Sequence, residues 1–155
     1  MVDAVYLGHI ISSNLKDDSD VYKQVKKLNT IGNVLIRKFG SCSEKVKCEL
    51  FRAHCSALYC SSLWCSYSLA MYRKLRVSHN DILRRLLGVP RYTSARTLFV
   101  NKRQDNVDVL IRKQCYNLKL RIEGSHNRVI KSIFDSCSFK ASKLFAKWRD
   151  NIDVM

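Results

Sequence analysis

The feature that most constrains the fold is an uncharged segment in the first half of the chain. No Lys, Arg, Asp or Glu occurs between Arg52 and Arg73, although charged residues make up 26% of the 155 residues. On a helix of about 3.6 residues per turn, this part of the chain has two adjacent apolar stripes: Val46, Leu50, Ala53, Ala57, Cys60 and Trp64, and then Phe51, Leu58 and Cys65. A helix that is apolar on nearly every side must be enclosed. We therefore predict a buried central helix from Glu44 to Trp64.

A membrane-spanning helix is the alternative for this segment. The uncharged gap is about long enough to cross a bilayer. However, five serines and His54 lie within the gap, whereas Ile, Val and Phe are absent from it. The sequence therefore favours a helix enclosed by protein, and it predicts no membrane partner.

The rest of the chain is also predicted to be helical. One Pro and five Gly leave long stretches uninterrupted, and apolar residues recur in them at helical spacing. A first amphipathic helix begins at Asp17–Asp20, which cap and charge its first turn, and runs to Phe39, where Gly40 provides a left-handed cap. Further helices are predicted over about 68–87, 94–100 and 105–124 and in two segments of the tail.

A short strand is predicted at the front of the chain. Val5 to Ile11 is rich in β-branched and aromatic residues and is followed by turn-forming residues. No second strand is evident, and a single strand cannot satisfy its own backbone groups. The strand's partner is therefore expected outside this chain, and the sequence looks cut at its start.

Together these patterns predict an all-α fold, namely a bundle of five to seven helices with a short N-terminal β-strand remnant. A chain of 155 residues is long enough to bury a core in one domain. We assign 1–14 to the strand remnant, 15–124 to the helical bundle and 125–155 to a C-terminal helical appendage.

The charge balance indicates a polyanionic partner. The chain has 28 Lys and Arg against 13 Asp and Glu, a net charge of +15. A surplus of this size repels itself on a compact surface unless a polyanion neutralises it, so nucleic acid is the leading partner. A solvated basic surface, a structural role as in a ribosome and an anionic membrane are the alternatives.

The first predicted helix has its apolar and basic residues on opposite faces. Its polar face contains no acid after Asp20, whereas an ordinary solvated face has charges of both signs. Four aromatic residues could stack on bases, although core packing is the simpler interpretation of each: Trp64, Tyr67, Tyr72 and Tyr92.

No catalytic, metal or cofactor site is predicted. The seven cysteines include no Cys-x-x-Cys pair, and Cys55, Cys60 and Cys65 are spaced so that successive side chains on a helix turn away from each other. No glycine-rich loop suited to phosphate is present, and His79 is expected to be a packing residue. The cysteines and the absence of a signal peptide predict free thiols in a reducing, intracellular compartment, nuclear or cytoplasmic.

Three segments together resemble a known family. They are YLGHIISSNLKDDSDV at Tyr6–Val21, LFRAHCSALYCSSLW at Leu50–Trp64 and ILRRLLGVPRYTSARTLFV at Ile82–Val100. In this order they resemble the C-terminal part of the reverse transcriptase of LINE-type (non-LTR) retrotransposons, over about residues 6–130. The tail from about Lys131 has no counterpart in the resemblance.

The resemblance implies a thumb-like helical region that grips the template–primer duplex. In that family the Tyr-Leu-Gly segment belongs to the primer-grip hairpin and follows an Asp pair that binds the catalytic metal ions. That pair should lie before Tyr6, where this chain has only Met1 to Val5, and Asp17 and Asp18 do not replace it. The resemblance thus implies that the chain is not an enzyme and that a palm and fingers domain is a possible partner.

The function expected from the sequence is non-catalytic binding of an RNA–DNA or RNA backbone. The alternatives are a helical interaction protein, a relic of a transposable element with no nucleic-acid function, and a chain whose polymerase activity returns when another chain supplies a palm. The residues expected to bind nucleic acid are Lys23, Lys26, Lys27, Arg37, Lys38, Arg84, Arg85 and Arg91.

Overall fold

The structure, a computed structural model, describes the backbone of residues 4–152 and the side chains of residues 4–149. Residues 1–3, at the start of the predicted strand remnant, and residues 153–155, at the end of the predicted tail, lie outside the described part. The described residues form mainly helices and one two-stranded sheet, which confirms the all-α fold class. The elements are β1 Ala4–Tyr6, β2 His9–Ile11, α1 Asp18–Phe39, α2 Glu44–Cys55, α3 Leu69–Leu87, α4 Ala95–Asn101, α5 Val107–Glu123, α6 Arg128–Asp135, α7 Cys137–Lys140 and α8 Lys143–Ile152.

The number of helices is slightly above the predicted five to seven. Eight are present in the described part of the chain, and one of them, α7, is a single turn of four residues. None of the helices within residues 4–152 is both long enough and apolar enough to cross a bilayer.

The predicted single strand is wrong, because the segment folds back on itself. β1 and β2 pair antiparallel with Val5 opposite Ile10. The turn between them places Leu7 at φ 46° and Gly8 at φ 82°, a left-handed conformation that glycine adopts without strain. The segment therefore supplies its own pairing partner, and a missing strand is not needed to explain it.

Helix α1 matches its predicted limits, but its ends are stabilised differently from the prediction. Asp17 occupies the N-cap position without a capping hydrogen bond. Its carboxylate instead accepts hydrogen bonds from the backbone N–H groups of Cys65 and Ser66, at 2.8 and 2.7 Å. At the other end, Gly40 is right-handed at φ −60°, so the predicted left-handed cap is wrong.

The central helix is shorter than predicted, because α2 ends at Cys55. The two predicted stripes are only partly buried. Phe51 and Leu58 of the second stripe are buried, whereas Val46 of the first is 44% exposed, and the buried side chains of α2 are Cys48, Phe51 and Cys55.

The following segment, residues 56–68, is irregular and only partly enclosed: Leu58, Ser61 and Trp64 are buried, whereas Tyr59 and Leu63 are exposed. The predicted enclosure of the whole segment is therefore wrong.

Side chains from other elements satisfy the backbone of the irregular segment. Asp18 accepts a hydrogen bond from the N–H of Ser68 at 2.7 Å, and Lys147 donates to the carbonyls of Ser61 and Trp64, at 3.0 and 2.5 Å. Serines compete with the backbone for hydrogen bonds and favour caps and turns over helix interiors. The serines of this segment therefore favour an irregular path, and these hydrogen bonds pair backbone polar groups next to the buried Trp64.

The caps of α3 and α4 agree with the sequence. Ser68 accepts a hydrogen bond from the N–H of Met71, and Ser94 accepts one from the N–H of Thr97. Gly88 ends α3 in a left-handed conformation at φ 69°, which a glycine adopts readily at this position. Helix α5 begins one residue later than Asp105 suggested, since the N-cap is Asn106.

One core joins helices α1 to α5 and α8. The buried cluster includes Leu28, Phe51, Leu83 and Ile111 together with Trp148 from the tail. Trp148 is only 1% exposed. The division into 15–124 and 125–155 stays a prediction, although one residue of the tail lies in the core of the bundle.

Candidate nucleic-acid interface

The candidate interface lies where α1 and α3 pack side by side. Tyr22 on α1 is beside Lys74 on α3, and Asn33 further along α1 is beside Arg85. These contacts occur in the same order along both helices, so the helices are parallel. Between them, Gly32 lets the Ile82 side chain of α3 pack directly on the backbone of α1, because a Cβ atom there would lie 2.7 Å from Ile82 Cγ1.

We call the line along which α1 and α3 pack the seam. Near the start of both helices, two lysines lie against one aromatic ring at this seam. The ammonium groups of Lys26 on α1 and Lys74 on α3 lie 4.6 and 4.5 Å from the centre of the Tyr22 ring. Contact with the ring's electron-rich face holds a cation in place by about 0.5–1 kcal/mol at an exposed site. No carboxylate among residues 4–149 is within ion-pair distance of either lysine. The two charges are therefore available to an anion from solution.

Arginines line the seam towards its other end. A cavity of about 420 Å³ lies there between the helices and the turn after α3. The polar lining of this cavity is Asn29, Ser78, Asp81, Arg84, Arg85 and Arg91. We use the name α1–α3 groove for the cavity together with the two lysines at the Tyr22 ring. Arg85 donates a hydrogen bond to Asn33 Oδ1 at 3.0 Å and has no carboxylate partner in the described part of the chain. Arg91 is 91% exposed and lies 3.9 Å from Asp81.

Arg84 has an internal role that the sequence did not indicate. Its Nε donates to the carbonyl of Thr93 at 3.1 Å, and its Nη1 donates to Asp81 at 3.0 Å. Its side chain is only 16% exposed. Arg84 therefore fixes the turn after α3, and its charge is already neutralised by Asp81.

The residues of α1 that were predicted to bind nucleic acid do not all lie on one side of the helix. Asn33 and Arg37 are one turn apart and share a face, so Arg37 extends the seam that contains Lys26. Lys27 is rotated by about 100° from Lys26 and lies beside His54 and Leu58 instead. Lys23 donates to the carbonyl of Gly8 at 2.6 Å and thereby holds the hairpin turn.

Lys38 also lies outside the seam. It is exposed, and its helical position is about 100° from Arg37. Together with Arg37 it occupies the last turn of α1, where positive charge also stabilises the helix dipole. The structure thus brings together Lys26, Arg85, Arg91 and, by helical position, Arg37.

Sequence reasoning missed Lys74 and Tyr22. Lys74 is 48 residues from Lys26, and only the parallel packing of α1 and α3 brings the two together. A local signal was available for Tyr22, because Tyr22 and Lys26 are four residues apart and face each other on a helix. Nothing local indicated that Lys74 would join them.

The four candidate stacking residues have different environments. Trp64 is buried and donates from Nε1 to Asp20 at 2.8 Å. Tyr67 and Tyr72 stack on each other with ring centres 5.6 Å apart, and the Tyr72 hydroxyl donates to Asp108. Core packing accounts for these three residues, whereas Tyr92 is 90% exposed.

The acidic residues at the start of α1 are committed to structure. Asp20 is completely buried and accepts hydrogen bonds from Trp64, from the N–H of Ile10 at 3.1 Å and from His9 Nδ1 at 3.0 Å. Asp17 and Asp18 bind the backbone of the irregular segment, as described above. Within residues 4–149, no three His, Cys, Asp or Glu side chains gather as a metal site would require.

Three of the cysteines are also buried parts of the fold. Cys48, Cys55 and Cys115 are buried and form no disulfides, and burial raises the pKa of Cys55 to about 12. A raised pKa keeps the thiol protonated and weakly nucleophilic. His54 is exposed on α2 and does not activate the buried thiol.

Comparisons with models of protein families, with curated proteins and with solved structures give no match to this chain.

Proposed function

We propose that this chain is a non-catalytic helical module that binds the backbone of an RNA–DNA or RNA duplex in the α1–α3 groove. The observation that carries the proposal is the convergence of Lys26 and Lys74 on Tyr22. Two like charges are brought together there from different helices, and no described carboxylate neutralises them. Cations that no carboxylate neutralises attract an anion from solution.

The length of the seam suits a polymer better than a single small anion. Tyr22 and Asn33 are eleven residues apart on α1, and at about 1.5 Å per residue they span roughly 16 Å. B-form DNA has a phosphate every 3.4 Å or so along each strand, so the seam spans about five base pairs. Lys26 and Lys74 at one end and Arg85 and Arg91 at the other can bind phosphates without reading the sequence.

The resemblance to the thumb of LINE-type reverse transcriptases supports the same proposal. The thumb of that family grips the template–primer duplex. The segments that carry the resemblance cover most of the hairpin, the first turn of α1, the second half of α2, the end of α3 and nearly all of α4 here. We propose that the chain descends from such a thumb and does not catalyse polymerisation itself. Its acids at the start of α1 are occupied by hydrogen bonds to the irregular segment and the hairpin.

The cellular setting that we propose is a reducing one, in the nucleus or cytoplasm. The basis is the set of thiols, three of which are buried and unpaired. Persistent disulfides are rare in such compartments, and nucleic acid is present in both.

Charge reversal at the two converging lysines tests the proposal. Lys26→Glu combined with Lys74→Glu should weaken binding of an RNA–DNA hybrid at low salt by more than ten-fold, because two phosphate contacts become repulsive. The matched control is Lys45→Glu combined with Lys131→Glu, which makes the same change in net charge at exposed lysines outside the groove. Fluorescence anisotropy with a labelled hybrid measures both affinities.

The comparison of the two variants decides the outcome. If both lose affinity equally, net charge alone accounts for binding and the groove has no special role. If wild-type protein does not bind the hybrid at low salt, the proposed function is wrong.

A second candidate function is docking to another protein through the hairpin. Leu7 and Leu15 are 75% and 80% exposed, and Val5 and Tyr6 are each 67% exposed. Four large exposed apolar side chains within residues 5–15 exceed the single scattered ones that are normal on a surface, and larger exposed apolar areas mark interaction sites. The partner that the resemblance implies is a palm and fingers domain, and co-purification of the chain with such a domain, abolished by Leu7→Asp, is the result that this candidate predicts.

A further inference from the structure

Tyr92 is the most exposed of the seven tyrosines in the chain, with 90% of its surface accessible. Within the described part of the chain, its ring stacks on no other ring and its hydroxyl has no hydrogen-bond partner. Large aromatic side chains are usually at least half covered, because burying them is favourable by about 1.5–3 kcal/mol. The structure of the fold therefore gives no reason for an aromatic residue at this position.

The backbone that holds Tyr92 is well ordered by contacts. The N–H of Thr93 donates to the carbonyl of Pro90 at 3.0 Å, and the carbonyl of Thr93 accepts from Arg84 at 3.1 Å. Gly88 ends α3 on one side of the turn, and Ser94 caps α4 on the other. The ring is thus presented to solvent by a fixed turn, and the ordering cost that a loose loop would incur on binding is small here.

Tyr92 directly follows Arg91, which lines the α1–α3 groove. Because the two helices are parallel, the cations follow each other along the seam from Lys26 and Lys74 to Arg85 and then to Arg91, which lines the groove. A duplex whose backbone follows this row of cations and ends at Arg91 would bring the first unpaired base beyond its end to the Tyr92 ring.

We propose that Tyr92 stacks on an unpaired nucleobase where a duplex bound in the groove gives way to a single strand. The inference rests on the proposed function and adds a preference for duplex–single-strand junctions. Stacking of an aromatic ring on a base is tolerant of sequence, because every base has a π-face. Arg91 beside the ring is placed to bind the phosphate of the stacked nucleotide.

The test compares three ligands that share one RNA–DNA hybrid. The first hybrid is blunt, the second has a two-nucleotide single-stranded extension, and the third has the same extension with abasic nucleotides, which keep the phosphates and lack the bases. Wild-type protein should bind the extended hybrid roughly ten-fold more tightly than the blunt one. The abasic extension should give little of this gain in affinity. The fluorescence of 2-aminopurine placed in the extension should be quenched when the protein binds.

Variants assign the gain to the Tyr92 ring. Tyr92→Ala should remove the gain and the quenching while leaving affinity for the blunt hybrid unchanged, and Tyr92→Trp should retain both. The matched control is Tyr6→Ala, which removes an exposed tyrosine from the hairpin and should behave as wild type. Since Tyr92 is not packed in the core, folding of the variants is not at risk.

Several outcomes would overturn the inference. An equal gain from the abasic extension would assign the effect to phosphates, and a gain that survives Tyr92→Ala would assign it to another residue. Binding of the blunt hybrid with no preference for an extension would leave the groove as a duplex site and remove the role of Tyr92. No binding of any hybrid would overturn the proposed function and this inference together.

Discussion

His79 is a buried histidine whose two ring nitrogens have no hydrogen-bond partner within the described residues. It stacks on Phe99 with ring centres 5.4 Å apart and lies 4.8 Å from Phe51. Burial lowers the pKa of His79 from 6.5 to about 4. The packing role expected from the sequence is confirmed, but the side chain is not satisfied as a polar group.

This environment predicts acid sensitivity that depends on one residue. Between about pH 6.5 and 4 the unfolded chain binds a proton at His79 that the folded chain does not. The free energy of unfolding therefore has its full value above pH 6.5 and decreases as the pH falls towards 4. The loss amounts to roughly 3 kcal/mol. His79→Phe should remove this part of the pH dependence and should not destabilise the protein at pH 7, since no hydrogen bond is lost.

Urea unfolding at a series of pH values measures the effect. His54→Gln is the control, because His54 is exposed and its replacement should leave the pH dependence as in wild type. The prediction is contradicted if His79→Phe and wild type lose stability in parallel as the pH falls.

Element by element, the sequence predicted what is locally encoded. The limits of α1 and α3 follow from their apolar periodicity, and Ser68, Ser94 and Gly88 act as the caps and stop that their residue types indicate. These signals operate within a turn or two of the chain. The basic face of α1 was therefore visible from the sequence alone.

Features that depend on long-range contacts were not predictable in this way. The end of α2 at Cys55 is not marked by Gly or Pro. The irregular path after it depends on hydrogen bonds that its backbone N–H groups donate to Asp17 and Asp18. The convergence of Lys26 with Lys74 depends on the parallel packing of two helices. The spacing of residues within a single helix reveals neither the end of α2 nor the convergence of the two lysines.

Gly32 is the residue that controls how closely α1 and α3 pack. Gly→Ala inside a helix ordinarily stabilises it by about 1 kcal/mol. Here the added Cβ would lie 2.7 Å from Ile82 Cγ1, so Gly32→Ala should instead destabilise the fold by about 1–3 kcal/mol, as overpacking does. Val34→Ala, on the exposed face of the same helix, is the control and should be neutral or stabilising.

Thermal and urea unfolding measure the stabilities of both variants. Hybrid binding by Gly32→Ala under conditions where it remains folded should also weaken, because separation of the helices moves Lys26 away from Lys74. Stabilisation by Gly32→Ala would show that the two helices are not in close contact at this point.

At the scale of the whole molecule, the tail contributes to the common core. Trp148 is 1% exposed, packs edge-on against Phe139 and belongs to the same buried cluster as residues of α1 and α3. Trp148→Ala should therefore lower the free energy of unfolding by about 3–5 kcal/mol. Because the core is shared, we expect unfolding to stay a single transition.

Circular dichroism and tryptophan fluorescence followed in the same urea titration check this prediction. Trp64 remains as a probe of the bundle in the variant. The contradicting result is a small loss of helix caused by Trp148→Ala, followed by a main unfolding transition at the same urea concentration as in wild type. The tail would then contribute little to the stability of the bundle, as the predicted domain division implies.

The net charge of +15 makes some binding to any polyanion unsurprising, so affinity alone is a weak test of the groove. The number of counterions released on binding is more informative, because it counts the phosphates that are neutralised. The groove offers four cations to a duplex backbone: Lys26, Lys74, Arg85 and Arg91.

The most direct test of the central claim is therefore the salt dependence of hybrid binding by wild-type protein and by the Lys26→Glu, Lys74→Glu variant. With four phosphate contacts, the logarithm of the binding constant should fall by about 3–4 per ten-fold increase in salt. The variant should have a slope that is shallower by about 1.4–1.8, the share of two contacts. Equal slopes for the two proteins would contradict the claim that these lysines bind the nucleic-acid backbone.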